Sequence, residues 1–197
     1  KMMRKLSIAI FALFSISLTN SFSIEPDIFV QSTVNRASKL LSENISKEEK
    51  IKQLQIIAKD TVDIDGIGYY TLGNVRKKLN DDEKKEYAIL FEEYFLKSFS
   101  SRLAEYTNPE ISVNGKQVLN ENYTIVNSTL KATNERPEIK IDWRIYTKNP
   151  ENLLIRDLII EGLSLARTQK EEFASVLNTN DGNIKALFKV LSEFTKN

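Results

Sequence analysis

A chain of 197 residues, 41% of them hydrophobic, suits one domain, or one domain with a small appendage, and is too apolar for a disordered segment. Its 28 Lys+Arg stand against 27 Asp+Glu, so it lacks the basic excess that a nucleic-acid binder carries. With no Cys and no His, disulfides, thiolate nucleophiles, Cys-bound or His-bound metals and the Ser-His-Asp and Cys-His arrangements are all excluded.

The first residues, KMMRKLSIAIFALFSISLTNSFS, place Lys1, Arg4 and Lys5 before an uncharged apolar run from Leu6 to Leu18. Polar residues and the small-x-small triplet Ser21-Phe22-Ser23 follow. This is the pattern of a secretory signal peptide over 1–23, too short in its apolar part to span a bilayer, with cleavage after Ser23. Taking those three cations from the 28 leaves 25 against 27 Asp+Glu, about −2 for residues 24–197. That span is expected to form a single domain beginning near Ile24. Without a Cys to carry lipid it should be free in the periplasm.

Between Asp27 and Leu41 the apolar positions Val30, Val34, Ala37 and Leu41 recur at helical spacing, with Pro26 as a starter. Ser46 and Glu49 have the spacing of a capping box, and Ile51, Leu54, Ile57 and Ala58 continue a second amphipathic helix. A third segment, VDIDGIGYYTLGNVRKKL, holds Val62, Ile64, Ile67, Tyr70 and Leu72, with glycines at 66, 68 and 73. Asn80 and Glu83 open the longest predicted helix, which runs to Tyr106 with Tyr87, Phe91, Tyr94, Phe95, Phe99 and Leu103 on one wide stripe.

After Thr107-Asn108-Pro109 the period falls to two. Strands are predicted at 110–113, 123–132, 139–146 and 154–161, with turns at Asn114-Gly115, Asn134 to Pro137 and Asn149-Pro150. Ile139, Ile141, Trp143 and Ile145 alternate with Glu138, Lys140, Asp142 and Arg144, so one face of this meander is dry and the other wet. The last strand carries Leu158 and Ile160 on one face, stops at Glu161-Gly162 and hands over to a helix with Leu165, Phe173, Val176 and Leu177. Asp181-Gly182 breaks that helix before a final amphipathic one with Ile184, Leu187, Leu191 and Phe194. Helices, then strands, then helices predict an α+β fold: N-terminal helices, an antiparallel one-sided sheet of about four strands, C-terminal helices, and a pocket between sheet and helices.

Few groups offer chemistry. Asp81-Asp82-Glu83 lies where anions favour a helix start, and Arg76-Lys77-Lys78 where cations favour a helix end. Asp157 and Glu161, four apart on a strand, share a face, but a dyad without a His partner is poorly placed for acid/base work.

The order Asp157, apolar run, Glu161-Gly162, Ser164 and Phe173 resembles the C-terminal signature of the MlaC, or toluene-tolerance, family of periplasmic phospholipid-binding proteins. Asp63 to Leu72-Gly73 and the Phe and Tyr spacing after it are similar to that family too. Leu153 stands where the family often has an aromatic, and Gln169-Lys170 where a Tyr-Arg pair is frequent. The resemblance implies a non-enzymatic monomeric carrier without a cofactor that holds phospholipid tails between sheet and helices. It would shuttle lipid between an outer-membrane lipoprotein complex and an inner-membrane MCE-domain/ABC transporter complex, in the maintenance of outer-membrane lipid asymmetry.

The lipid-binding residues expected on this basis are Tyr70, Leu72, Tyr94, Phe95, Phe99, Ile139, Ile141, Trp143, Ile145, Leu158, Ile160 and Leu163. Exposing a chain of about fifteen methylenes costs on the order of 12 kcal/mol, so such a carrier must enclose the tails and can leave the head group outside. Two other readings fit the residues: a small enzyme or apolar-ligand-binding protein on a nuclear-transport-factor-like fold, and an interaction module with a filled core.

Overall fold

The computed structural model describes residues 23–196, so the signal peptide expected over 1–23 lies outside the described residues apart from Ser23. Helix α1 (Pro26–Ser42) starts on Pro26 and buries Val30, Val34, Leu40 and Leu41. Helix α2 (Lys47–Thr61) is capped by Ser46, whose Oγ accepts from the Glu49 N–H at 3.1 Å. The predicted box is only half made there, because the Glu49 carboxylate accepts from Gln53 Nε2 instead. Asp63 caps α3 (Ile64–Thr71), and a short 3₁₀ turn, Gly73–Lys77, follows. At α4 (Asp81–Leu103) the capping box of Asn80 and Glu83 is complete, at 2.9 and 3.0 Å. This helix stops short of Tyr106, and Leu103 and Tyr106 instead cover a small cluster of Leu40, Leu41, Leu54 and Ile57 between α1 and α2.

Five strands pair antiparallel in chain order: β1 (Ile111–Asn120), β2 (Tyr123–Leu130), β3 (Ile139–Tyr146), β4 (Leu154–Ile160) and β5 (Leu163–Ser164). The architecture is the predicted α+β meander with one short strand more. Trp143 is 8% exposed beside buried Ile141 and Ile145, whereas Lys140 and Arg144 face solvent. The register predicted for β3 is therefore the one formed.

Three features depart from the alternation. Asn114-Gly115 makes no turn; it forms a bulge, because Val113 and Lys116 both find partners on β2, Ser128 and Val126. The chain reverses later, where Asn120 Oδ1 accepts from the N–H groups of Asn122 and Tyr123. On β4, Arg144 pairs with Asp157 and Ile145 with Ile155, leaving Arg156 as an extra residue. That insertion inverts the parity of the strand, so Ile155 and Leu158 both join the buried face. Finally, β4 does not pass directly into a helix. Glu161 and Gly162, with φ of 49° and 84°, form a two-residue hairpin that pairs Ile160 with Leu163.

From Ser164 the chain runs through α5 (Leu165–Thr179) and, after the predicted break at Asp181-Gly182, α6 (Ile184–Lys196). Helix α1 packs on β1 and β2, α5 on β4, and α4 against α2, α3 and α6. The Asp63 N–H donates to the Ile155 carbonyl at 3.0 Å, and Val62 bridges Ile155 in parallel, fastening the start of α3 to β4.

Candidate functional site

Three walls line a half-open cavity of about 210 Å³. Helix α4 contributes Phe91, Tyr94, Phe95 and Phe99, residues that helical spacing puts on one side of the helix. The sheet contributes Trp143, Ile155 and Leu158, and the third wall is Val62 and Ile67 with Leu165 and Ala166 of α5. Ser98, Arg102, Asp157, Thr168, Gln169 and Glu172 add polar groups.

Each wall is positioned by a local device. Helix α3 can approach α4 because residue 68 is glycine: a Cβ there would lie 2.6 Å from Phe91 Cδ1. The Phe95 and Phe99 rings stack at 5.5 Å, and Tyr94 packs against Phe173 of α5 at 5.8 Å. The Trp143 indole N–H donates to Ser128 Oγ at 2.8 Å, and that hydroxyl donates to the Ile141 carbonyl at 2.8 Å. The polar end of the ring is thus satisfied within the sheet, leaving its apolar surface for the cavity.

Four of these polar side chains, Asp157, Thr168, Gln169 and Glu172, are likewise bonded into the fold. Asp157 Oδ2 accepts from Ser164 Oγ at 2.5 Å and Oδ1 from the Ala166 N–H at 3.0 Å, while Ser164 Oγ accepts from the Arg167 N–H. Tyr94 donates to Gln169 Oε1 at 3.0 Å, and the Gln169 amide donates to Glu172. Burial, and then the Glu172 carboxylate, push the Tyr94 phenol up, so it stays neutral. Glu161 does not share a face with Asp157 as the strand period predicts. It sits in the hairpin and accepts from the Lys140 N–H at 2.5 Å, because β4 ends one residue earlier. Among the described residues no group of three or more carboxylates could hold a metal ion.

A family model for the MlaC protein matches residues 31–193, from α1 to α6. The chain belongs to the MlaC family. A phospholipid-binding protein from Ralstonia solanacearum, solved at 1.53 Å in complex with a phospholipid, matches it with a TM-score of 0.74 at 17% identity. The match covers 88% of this chain and 98% of that one, and it shows a shared α+β fold.

In this MlaC-family fold the signature residues turn out to be a junction. Asp157 and Ser164 join β4 to the first turn of α5, Glu161-Gly162 makes the hairpin between them, and Phe173 is buried against Phe91 and Tyr94.

Of the twelve residues expected to line the site, Tyr94, Phe95, Phe99, Trp143 and Leu158 meet at the cavity. Leu72, Ile141 and Ile145 are buried in the core, and Ile139 packs against its margin. Ile160 pairs with Leu163, which is 58% exposed on the short outer strand because the hairpin carries it beyond the helical cover. Tyr70 stands outside this cavity with the Lys170 ammonium 5.0 Å from its ring centre. Residues that sequence reasoning did not place here are chiefly Val62, Ile67, Ile155 and the first turns of α5. Ile155 had no signal, because only the bulge at Arg156 turns it inward.

Proposed function

We propose that this chain is a phospholipid carrier of the periplasm, the soluble component of an Mla-type system. In it, lipid passes between an outer-membrane lipoprotein complex and an inner-membrane MCE-domain/ABC transporter complex. The observation that carries this reading is a cavity walled by Phe, Trp, Leu and Ile between sheet and helices, in a MlaC-family chain whose fold is shared with a protein that holds a phospholipid. No helix among the described residues is long and apolar enough to cross a membrane, as a carrier moving between two bilayers requires.

At about 210 Å³ the cavity lies below the roughly 300–1,000 Å³ of pockets for drug-sized ligands, so acyl chains must widen it. Phe95, Phe99 and Leu158 suit that movement, being only partly buried and packed against the edge of the core rather than inside it.

Native mass spectrometry of the purified full-length protein tests the reading. A stoichiometric phospholipid adduct, transferable to lipid-free protein, is the expected result. A compact protein that neither arrives with lipid nor extracts it from vesicles would refute it.

A further inference from the structure

A second cavity of about 280 Å³ adjoins the first, with Ile67, Asp157 and Ala166 lining both. Its chemistry is different. Arg144 of β3, Arg156 of β4 and Arg167 of α5 converge on it, together with Tyr70 and Tyr123.

Arg156 is paired with Asp63, and Asp157 adds a second carboxylate, so the three arginines leave the cleft with one positive charge in excess, carried by the exposed Arg144 and Arg167. Asp157 is the one carboxylate in this lining, and both of its oxygens already accept hydrogen bonds from Ser164 and Ala166. Arg156 is held in place: its Nε donates to Asp63, its Nη1 to the Tyr123 hydroxyl at 3.2 Å, and its guanidinium lies 4.6 Å from the Tyr146 ring centre. Its Nη2 is left over. The side chains of Arg144 and Arg167 make no hydrogen bond or ion pair among the described residues. The unneutralised charge is therefore gathered on planar forks, the geometry that fits phosphate oxygens two at a time.

We propose that this cleft binds a phosphate-bearing anion, and that the anion is the head-group phosphate of the lipid whose tails enter the adjoining apolar cavity. The head-group assignment rests on the carrier reading; the anion site does not. Because the cleft carries excess positive charge, it favours a head group with net negative charge over a zwitterionic one.

The test uses the full chain and the double variant Arg144→Ala/Arg167→Ala, with thermal melting to confirm that both are folded. Each protein is incubated with equimolar phosphatidylglycerol and phosphatidylcholine vesicles, and bound lipid is read by mass spectrometry. Lipid-stripped protein is titrated separately with inorganic phosphate and followed by phosphorus NMR. Wild type should select phosphatidylglycerol; the double variant should lose the selection, and its phosphate affinity should fall about tenfold or more, the effect of losing one charge-assisted hydrogen bond.

If wild type holds no lipid but binds phosphate through these arginines, the anion site stands, and the head-group assignment falls together with the carrier reading. Arginine-dependent phosphate binding with no change in lipid selection overturns the head-group assignment alone. If wild type holds lipid without selection and neither protein binds phosphate, the inference is overturned and the carrier reading survives.

Discussion

Asp157 and Ser164 close the junction between the last long strand and the helix that follows: the serine hydroxyl donates to the carboxylate at 2.5 Å while accepting from the Arg167 N–H. The same carboxylate accepts from the Ala166 N–H, so an anion from outside the helix satisfies one backbone donor of its first turn. Asp157→Ala should destabilise the fold by about 2–4 kcal/mol, since hydrogen bonds to a buried charge are lost and their donors stranded. Asp157→Asn keeps one acceptor and should cost about half as much by the same reasoning. Urea unfolding orders the three proteins. Equal midpoints would mean that the junction is held by packing alone.

Trp143 is the single tryptophan of the chain and lines the cavity, so its fluorescence reports on that wall directly. Phospholipid brominated along the acyl chain should quench it, whereas lipid brominated in the head group should not. Ser128→Ala strands the indole N–H and should cost about 1–3 kcal/mol in thermal or urea unfolding. Unquenched emission with lipid demonstrably bound would move the tails away from the sheet.

The difference between core and cavity can be tested with charge. Leu158 lines the cavity and is partly exposed, so Leu158→Arg should leave a folded protein that retains no lipid. Ile145 is 0% exposed and Ile141 is core without touching the cavity, so Ile145→Glu or Ile141→Glu buries an unpaired charge and should unfold the chain. Circular dichroism beside lipid extraction separates the outcomes. A folded, lipid-bound Leu158→Arg protein would exclude this cavity as the tail site.

Alkaline pH offers a further handle. Burial pushes the Tyr87 phenol well above the ordinary tyrosine range; its hydroxyl lies 2.8 Å from that of Thr71, which in turn donates to the Gly68 carbonyl. A raised folded value means that the contribution to stability is fully present below the ordinary value, about pH 10, and is lost as pH rises through the folded one. Tyr94 is shifted the same way. Tyr87→Phe should therefore cost about 1 kcal/mol at neutral pH yet flatten the loss of stability in the alkaline range. Melting curves of the two proteins from neutral pH upward show whether their slopes differ.

The sequence carried the fold wherever a period is written in side chains. The α4 stripe from Tyr87 to Phe99, the alternation of β3 from Ile139 to Ile145 and the complete cap at Asn80 all depend on neighbours within a turn or two, and these formed as read, whereas Leu103 and Tyr106 left the stripe for the α1–α2 cluster. The losses came where pairing partners overrule local signals. Asn114-Gly115 looks like a hairpin until β2 offers Val113 and Lys116 separate partners. The bulge at Arg156 leaves no mark on the side-chain pattern, yet it determines that Ile155 faces the cavity. Half of the apolar face of the sheet proved to be core for a related reason: alternation tells which side is dry, and only the position of α4 and α5 tells which dry residues are left uncovered.

The attachment of Val62 and Asp63 to Ile155 also orders events along the chain in time. The meander closes through neighbours, each strand on the one before it, and the first two helices have each other. The start of α3, by contrast, has its backbone partner more than ninety residues downstream, on a strand that is among the last elements made. Contacts between such distant segments require a large loop to close first and therefore form late. One wall of the cavity thus cannot assemble until nearly the whole chain is present. A chain threaded across a membrane from its N-terminus would keep its apolar walls apart until it had emerged on the far side.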